Sequence, residues 1–178
     1  MSDALKVTRA APCAMISLKC DLSDPAAVAA CAALGLGLPG LRRIAVAGDV
    51  AVAWMASDEL LFIAPDMAAA MAAIKGAMDG CPHLVVDLSD ARARFRVDGP
   101  GAREVIAKGA PADLRRTVFA AVQDGEGDFR RTRLGQIAAA FWAPADDAME
   151  LICFRSVADH AEAWLRQAAR KGSLPGVL

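Results

Sequence analysis

An α+β fold, with antiparallel sheets covered by helices, is what the 178 residues predict. Three observations carry the prediction: short alternating apolar runs joined by turn residues, a few capped helices between them, and no strand–helix–strand spacing that would suit a parallel sheet. The order strand, helix, three-stranded meander, helix occurs twice. Trp54 answers Trp142, and Glu59-Leu60-Leu61 answers Glu150-Leu151-Ile152. This reads as a weak internal duplication, two interlocked subdomains with approximate halves 14–80 and 83–172. Residues 1–13 then form an N-terminal extension, and residues 173–178, with Pro175 and Gly176, a loose tail.

Ala14 to Cys20 alternates as a strand. Ser23-Asp24-Pro25 supplies a cap with proline at the first helical position, which predicts a helix to about Leu34. Arg43–Ala47, Val50–Met55 and Glu59–Ile63 are β-like runs separated by Gly48-Asp49 and Ser57-Asp58, so they read as an antiparallel meander. Asp66 can cap a helix whose Met67, Met71, Ile74 and Met78 fall on one face, a stripe that reads as core. His83–Asp87 and Arg92–Asp98 read as strands around Ser89-Asp90. Gly99-Pro100-Gly101 then leads into a short helix, Ala102–Lys108. Phe129–Arg133 and Gln136–Trp142 flank Leu134-Gly135 as a hairpin, and Met149–Phe154 returns as a third strand. Ser156 with Asp159 resembles a capping box opening a last helix with the apolar stripe Val157, Ala161, Trp164, Leu165 and Ala168.

Composition narrows the function. Twenty basic and 21 acidic side chains give a formal charge of −1, which leaves no electrostatic footprint for nucleic acid or an anionic bilayer. The hydrophobic fraction of 56% includes 41 alanines, so larger apolar residues make up about a third of the chain, ordinary for a soluble domain. The longest uncharged run, Pro25 to Leu41, is too short for a membrane span and is interrupted by Gly35, Gly37, Pro39 and Gly40. Lys19 cuts the apolar run after Lys6 and Arg9, which argues against a secretory signal. Five cysteines, Cys13, Cys20, Cys31, Cys81 and Cys153, are odd in number and never spaced C-x-x-C. They suit small buried thiols in a reducing cytoplasm.

No constellation announces catalysis. Gly99-Pro100-Gly101-Ala102-Arg103-Glu104 begins like a pyrophosphate-binding turn, but Glu104 stands where a third glycine belongs and would repel phosphate. No serine lies in G-x-S-x-G, and the two histidines, His83 and His160, lack spaced partners. Asp87, Asp90 and Arg92 could bind a polar ligand, or could lock a turn through side-chain-to-backbone hydrogen bonds. If a small ligand is held, Asp90, Arg92 and the helix start at Gly101 are its candidates. No residue is assigned a catalytic or metal-ligating role.

The run from Asp87 to Leu114, DLSDARARFRVDGPGAREVIAKGAPADL, resembles the gamma subunit of heterotetrameric sarcosine oxidase. Ala53-Trp54-Met55-Ala56-Ser57-Asp58-Glu59, Thr132-Arg133-Leu134-Gly135, and Phe154-Arg155-Ser156-Val157-Ala158-Asp159 leading to Trp164-Leu165 agree in order and spacing. The resemblance implies a GcvT-like fold, that of the folate-binding domain of glycine-cleavage aminomethyltransferases. It also implies membership in an alpha, beta, gamma, delta complex that oxidatively demethylates sarcosine to glycine, with hydrogen peroxide and a one-carbon unit as further products. In such a complex FAD, FMN, NAD, tetrahydrofolate and zinc belong to other subunits, and gamma carries no catalytic residue. Leu60 stands where folate-binding relatives commonly show tryptophan. The alternative function is a GcvT-like small-molecule module that binds folate or another one-carbon ligand through Asp90, Arg92 and the helix start near Gly101. As a non-catalytic subunit, the chain would meet its partners through anchors drawn from Trp54, Phe62, Arg92, Arg133, Trp142, Arg155 and Trp164. The alternative reading of the tryptophans is core packing.

Overall fold

The computed structural model describes residues 5–176. Among these residues ten strands and four α-helices follow one another. In order they are β1 (Lys6–Arg9), β2 (Ala14–Cys20), α1 (Pro25–Ala32), β3 (Arg43–Ala47), β4 (Val50–Ala56), β5 (Glu59–Ala64), α2 (Met67–Ala77) and β6 (His83–Asp87). Then come β7 (Arg92–Asp98), α3 (Ala102–Ala107), β8 (Glu126–Leu134), β9 (Ile137–Ala145), β10 (Ala148–Phe154) and α4 (Ala158–Ala168). The chain divides into two compact units. One holds the residues up to Ala11, Ala91–Gln123 and the residues from Gly127 on; the other holds Pro12–Asp90 and Asp124–Glu126.

In the Pro12–Asp90 unit the strands lie in the order β3-β4-β5-β2-β6. Period-2 alternation sets one face: Ile16, Leu18 and Cys20 of β2 and Leu60, Phe62 and Ala64 of β5 point into one core with α1 and α2. Asp24 caps α1 by accepting from the Ala26 amide at 2.8 Å, and Asp66 caps α2 through the Ala69 amide at 3.0 Å. The methionine stripe packs as core, with Ile74 and Met78 fully buried and Met67 and Met71 beside them. Met15, Leu61 and Ile63, on the opposite face of the same sheet, are buried as well.

In the other unit the order is β8-β9-β10-β7-β1, again with every described pairing antiparallel. Phe95 and Val97 of β7, Phe141 and Ala143 of β9, and Met149, Leu151 and Cys153 of β10 face the core shared with α3 and α4. Buried Arg103 on α3 holds the irregular stretch after it. Its Nη1 donates to the carbonyls of Leu114 (3.0 Å) and Phe119 (2.7 Å), and its Nε to that of Asp146 at 3.2 Å. Burial lowers its guanidinium from the ordinary value, partly offset by Asp146, yet it remains the donor that those carbonyls need.

Four sequence expectations change here. Lys6–Arg9 is no mere extension: it pairs with β7 from Lys6↔Asp98 to Arg9↔Phe95, and Val7 enters the core. β6 lies with β2, from Ile16↔Asp87 to Cys20↔His83, so the strand read as opening the second half belongs to the first unit, and the division falls after Asp90 instead of near residue 80. Ser156 does not cap the last helix, because a 3₁₀ turn over Arg155–Val157 precedes it and its first residues have no side-chain cap. The tail is tied down as far as Gly176. Ser173 Oγ donates within reach of the Ala168 and Arg170 carbonyls, and the Gly176 amide donates to Glu104 at 2.8 Å. Residues 177 and 178 of the expected tail lie outside the described residues.

Candidate subunit-contact surface

The candidate ligand residues do not converge. Arg92 opens β7 and Gly101 lies beyond its far end, so at ~3.3 Å per residue they stand roughly 20 Å or more apart along the strand. Gly101 is also occupied by the chain itself. A Cβ there would collide with Leu174 Cδ1, so Leu174 sits over the start of α3 where a ligand would lie. Asp90 is exposed at the end of the first unit. Asp87 takes the turn-locking role: its Oδ1 accepts from the Ser89 amide at 2.8 Å, and Ser89 holds its carboxyl below the usual carboxylate range. These residues do not fit a folate cradle.

Cys81 and His83 do not pair either. His83 Nδ1 lies 2.8 Å from the Cys81 carbonyl oxygen, while Cys81 Sγ points to Asp24 at 3.9 Å, so thiol and imidazole do not address one another. Burial pushes the Cys31 thiol up to about 12 and raises Cys20 and Cys153, the reverse of what a nucleophile needs. Among the described residues, no group of three or more His, Cys, Asp or Glu side chains could hold a metal ion.

On the face of β7 and β10 opposite the core they share with α3 and α4, the second unit carries a charged row, buried at Ile152 and exposed at its Phe154 end. Alternation turns Phe95 and Val97 inward and sends Arg92, Arg94 and Arg96 outward; in register they meet Phe154, Ile152 and Glu150. Arg92 lies over the Phe154 ring, its Cζ 4.3 Å from the centroid. Arg96 reaches Asp98 (Nε–Oδ1, 2.7 Å) and Glu150 (Nη1–Oε1, 3.2 Å), and Arg94 Nε lies 3.5 Å from Glu150 Oε2. Burial alone would lower the Arg96 guanidinium, but Asp98 and Glu150 together hold it above its ordinary value. Phe154 is 45% exposed, and Arg155 beside it and Arg133 on β8 are exposed too.

The tryptophan and phenylalanine anchors divide differently. Phe62 (0% exposed) and Trp142 (4%) are core residues, because each stands on a strand whose two faces are both buried. Trp142 tilts against Phe129 with centroids 6.1 Å apart. Half-buried Trp164 braces α4 on Gly109: a Cβ at that glycine would lie 2.7 Å from its Cζ2. Trp54 is half-buried on β4 opposite Leu60. Sequence reasoning passed over Phe154, although β10 parity with Met149, Leu151 and Cys153 inside already places it on the opposite face.

Residues 19–171 match the model of the sarcosine oxidase, gamma subunit family. The chain belongs to that family. It is 34% identical over 140 residues to the sarcosine oxidase subunit gamma of Corynebacterium sp. strain U-96, a match covering 77% of this chain and 65% of that relative. The chain thus spans just under two thirds of that gamma subunit's length. A chain of the heterotetrameric sarcosine oxidase from Corynebacterium sp. U-96, solved with pyrrole 2-carboxylate, superposes with a TM-score of 0.87 at 27% identity, covering 100% of this chain and 90% of that one. Aminomethyltransferase T of the glycine cleavage system from Bartonella henselae shares the fold alone, with a TM-score of 0.60 at 16% identity over 91% of this chain and 45% of that one.

Proposed function

We propose that this chain is a non-catalytic gamma subunit of a heterotetrameric sarcosine oxidase, and that it acts by holding its partners' geometry. The observation that carries the reading is the superposition over its whole length on a chain of such an oxidase. The partners are the alpha, beta and delta subunits, which would carry FAD, FMN, NAD, tetrahydrofolate and zinc. The reaction is oxidative demethylation of sarcosine to glycine with release of hydrogen peroxide, the one-carbon unit passing to tetrahydrofolate or leaving as formaldehyde. Absence of a helix long and apolar enough to cross a membrane among the described residues is compatible with assembly in the cytoplasm. Matching strand orders in the two units, β3-β4-β5-β2-β6 and β8-β9-β10-β7-β1, support an internal duplication of an aminomethyltransferase-like architecture.

Its contact surface is the outward row of Arg92, Phe154 and Arg155, with Arg133 and Trp54 as further contacts. An aromatic ring under a guanidinium offers area and a planar donor set at little entropic cost, which is the chemistry of interface hot spots. Co-expression with the three partner subunits tests the role. Omitting this chain should abolish the four-subunit complex and its sarcosine-dependent peroxide release; an intact, fully active three-subunit enzyme would refute it.

A further inference from the structure

Strand edges differ in how they are guarded. β1 pairs only with β7 and carries Lys6 and Arg9, charges that discourage pairing with a foreign strand. Among the described residues β6 pairs only with β2, and it has the sequence His-Leu-Val-Val-Asp, without lysine, arginine or proline. Its Leu84 is 55% exposed and its Val86 37%, both on the face opposite the helices, beside Lys19 and Ser17 in register. The Leu88 amide donates to the Met15 carbonyl at 2.7 Å. By antiparallel alternation the backbone groups of Leu84 and Val86 therefore also face β2, and those of His83, Val85 and Asp87 point away from the sheet. An unpaired ladder and two alternate apolar side chains share one edge.

We infer that β6 is a docking edge for an extended segment of a partner subunit, added as a further strand, with apolar residues at alternate positions over Leu84 and Val86 and lysine or arginine at its ends. Charge chooses this occupant. Exposed Asp87 lies at one end of the edge, and exposed Asp21 and Asp79 at the other, while the neighbouring Lys19 already lies 3.9 Å from Asp58. A second copy of β6 laid antiparallel would set Asp21 and Asp79 against Asp87, and laid parallel would set Asp87 against Asp87. Like charges would oppose at both ends either way. A basic-ended strand meets the opposite sign at both.

The inference rests on the proposed subunit role and names one of its contacts, so the test separates the two. The four subunits are co-expressed with this chain as wild type and as the double variant Leu84→Lys, Val86→Lys, whose changes fall on exposed side chains. Hydrogen exchange is then followed in the free chain and in the complex. Docking predicts that the Val85 and Asp87 amides exchange at least about tenfold more slowly in the complex, and that the double variant, with unchanged circular dichroism and melting, assembles at least about tenfold more weakly. A complex that forms normally with the variant and leaves those amides unprotected overturns the docking edge while the subunit role stands. A wild-type chain that joins no complex overturns both. A free chain that dimerises, and stops doing so in the variant, overturns the choice of partner.

Discussion

Arg92 and Phe154 face one another across β7 and β10, the guanidinium carbon 4.3 Å from the ring centroid, at the outer tip of the gamma subunit's charged sheet face. A stacked, half-buried pair of this kind contributes about 0.5–2 kcal/mol, but its larger value lies in presenting a rigid planar surface. Phe154→Ala should change the chain's own stability by under about 1 kcal/mol, since the ring is nearly half exposed. It should weaken association with the partner subunits by about 2 kcal/mol, roughly thirtyfold. Titration calorimetry or competitive co-purification reads the second effect, and urea denaturation the first. Arg92→Lys should weaken association as well, because an ammonium cannot stack on the ring as a guanidinium does.

Gly109→Ala should destabilise the unit that contains it by about 1–3 kcal/mol. The added methyl would lie 2.7 Å from Trp164 Cζ2 and 3.1 Å from the Gly135 amide nitrogen, so both the indole and a hairpin backbone would have to move. The measurement is the denaturation midpoint together with tryptophan emission, which should shift to the red as Trp164 leaves its seat. An unchanged midpoint would mean that α4 can slide to accommodate the methyl.

The elements that could be read from the sequence are those whose signals are local. Asp24-Pro25 and Asp66 announce their helices because a cap is a matter of two or three adjacent residues. Leu134-Gly135 announces its hairpin because Gly135 takes a positive φ of 59°. The misread elements depend on distant partners. β1 shows one inward apolar residue, Val7, and is a strand only because β7 offers it an edge. β6 precedes β7 by a few residues but pairs with β2, about seventy positions earlier, and spacing carries no mark of that choice. Phe62 reads as a surface anchor, and Trp142 as either anchor or core, because alternation tells which residues share a face, not whether both faces are buried. Phe154 was legible, since strand parity settled it. The loss of the ligand candidates was not, because Leu174 comes to rest on Gly101 from more than seventy residues away.

Arg103→Ala should cost about 3–5 kcal/mol, as it leaves the carbonyls of Leu114, Phe119 and Asp146 without their donor. The damage should be uneven. Within the stretch from Gly109 to Gln123, Arg103 holds the carbonyls of the buried Leu114 and Phe119, and between those two residues Arg115 and Arg116 are exposed, so limited trypsin digestion should open it there before the rest of the chain is cut. Arg103→Lys should rescue little, since one ammonium cannot reach three carbonyls set around a planar fork. Equal protease resistance in wild type and Arg103→Ala would remove the residue from this role.

Alkaline pH should unfold the chain through its buried thiols. Cys31 lies wholly inside the core of its unit, and burial raises its thiol from 9.0 to about 12; burial raises Cys20 and Cys153 in the same direction. Below pH 9 the Cys31 thiol keeps its proton in folded and unfolded chain alike, and its contribution to stability is intact. Above that value the unfolded chain gives up the proton first, so it binds fewer protons than the native state, and stability falls as pH rises toward about 12. Urea midpoints measured from about pH 8 to about pH 11 should therefore decline. Cys31→Ala starts from a lower midpoint because it leaves a small void, yet its decline should be shallower, since one of the titrating thiols is gone. Parallel pH profiles for the two proteins would show that Cys31 does not drive the alkaline loss.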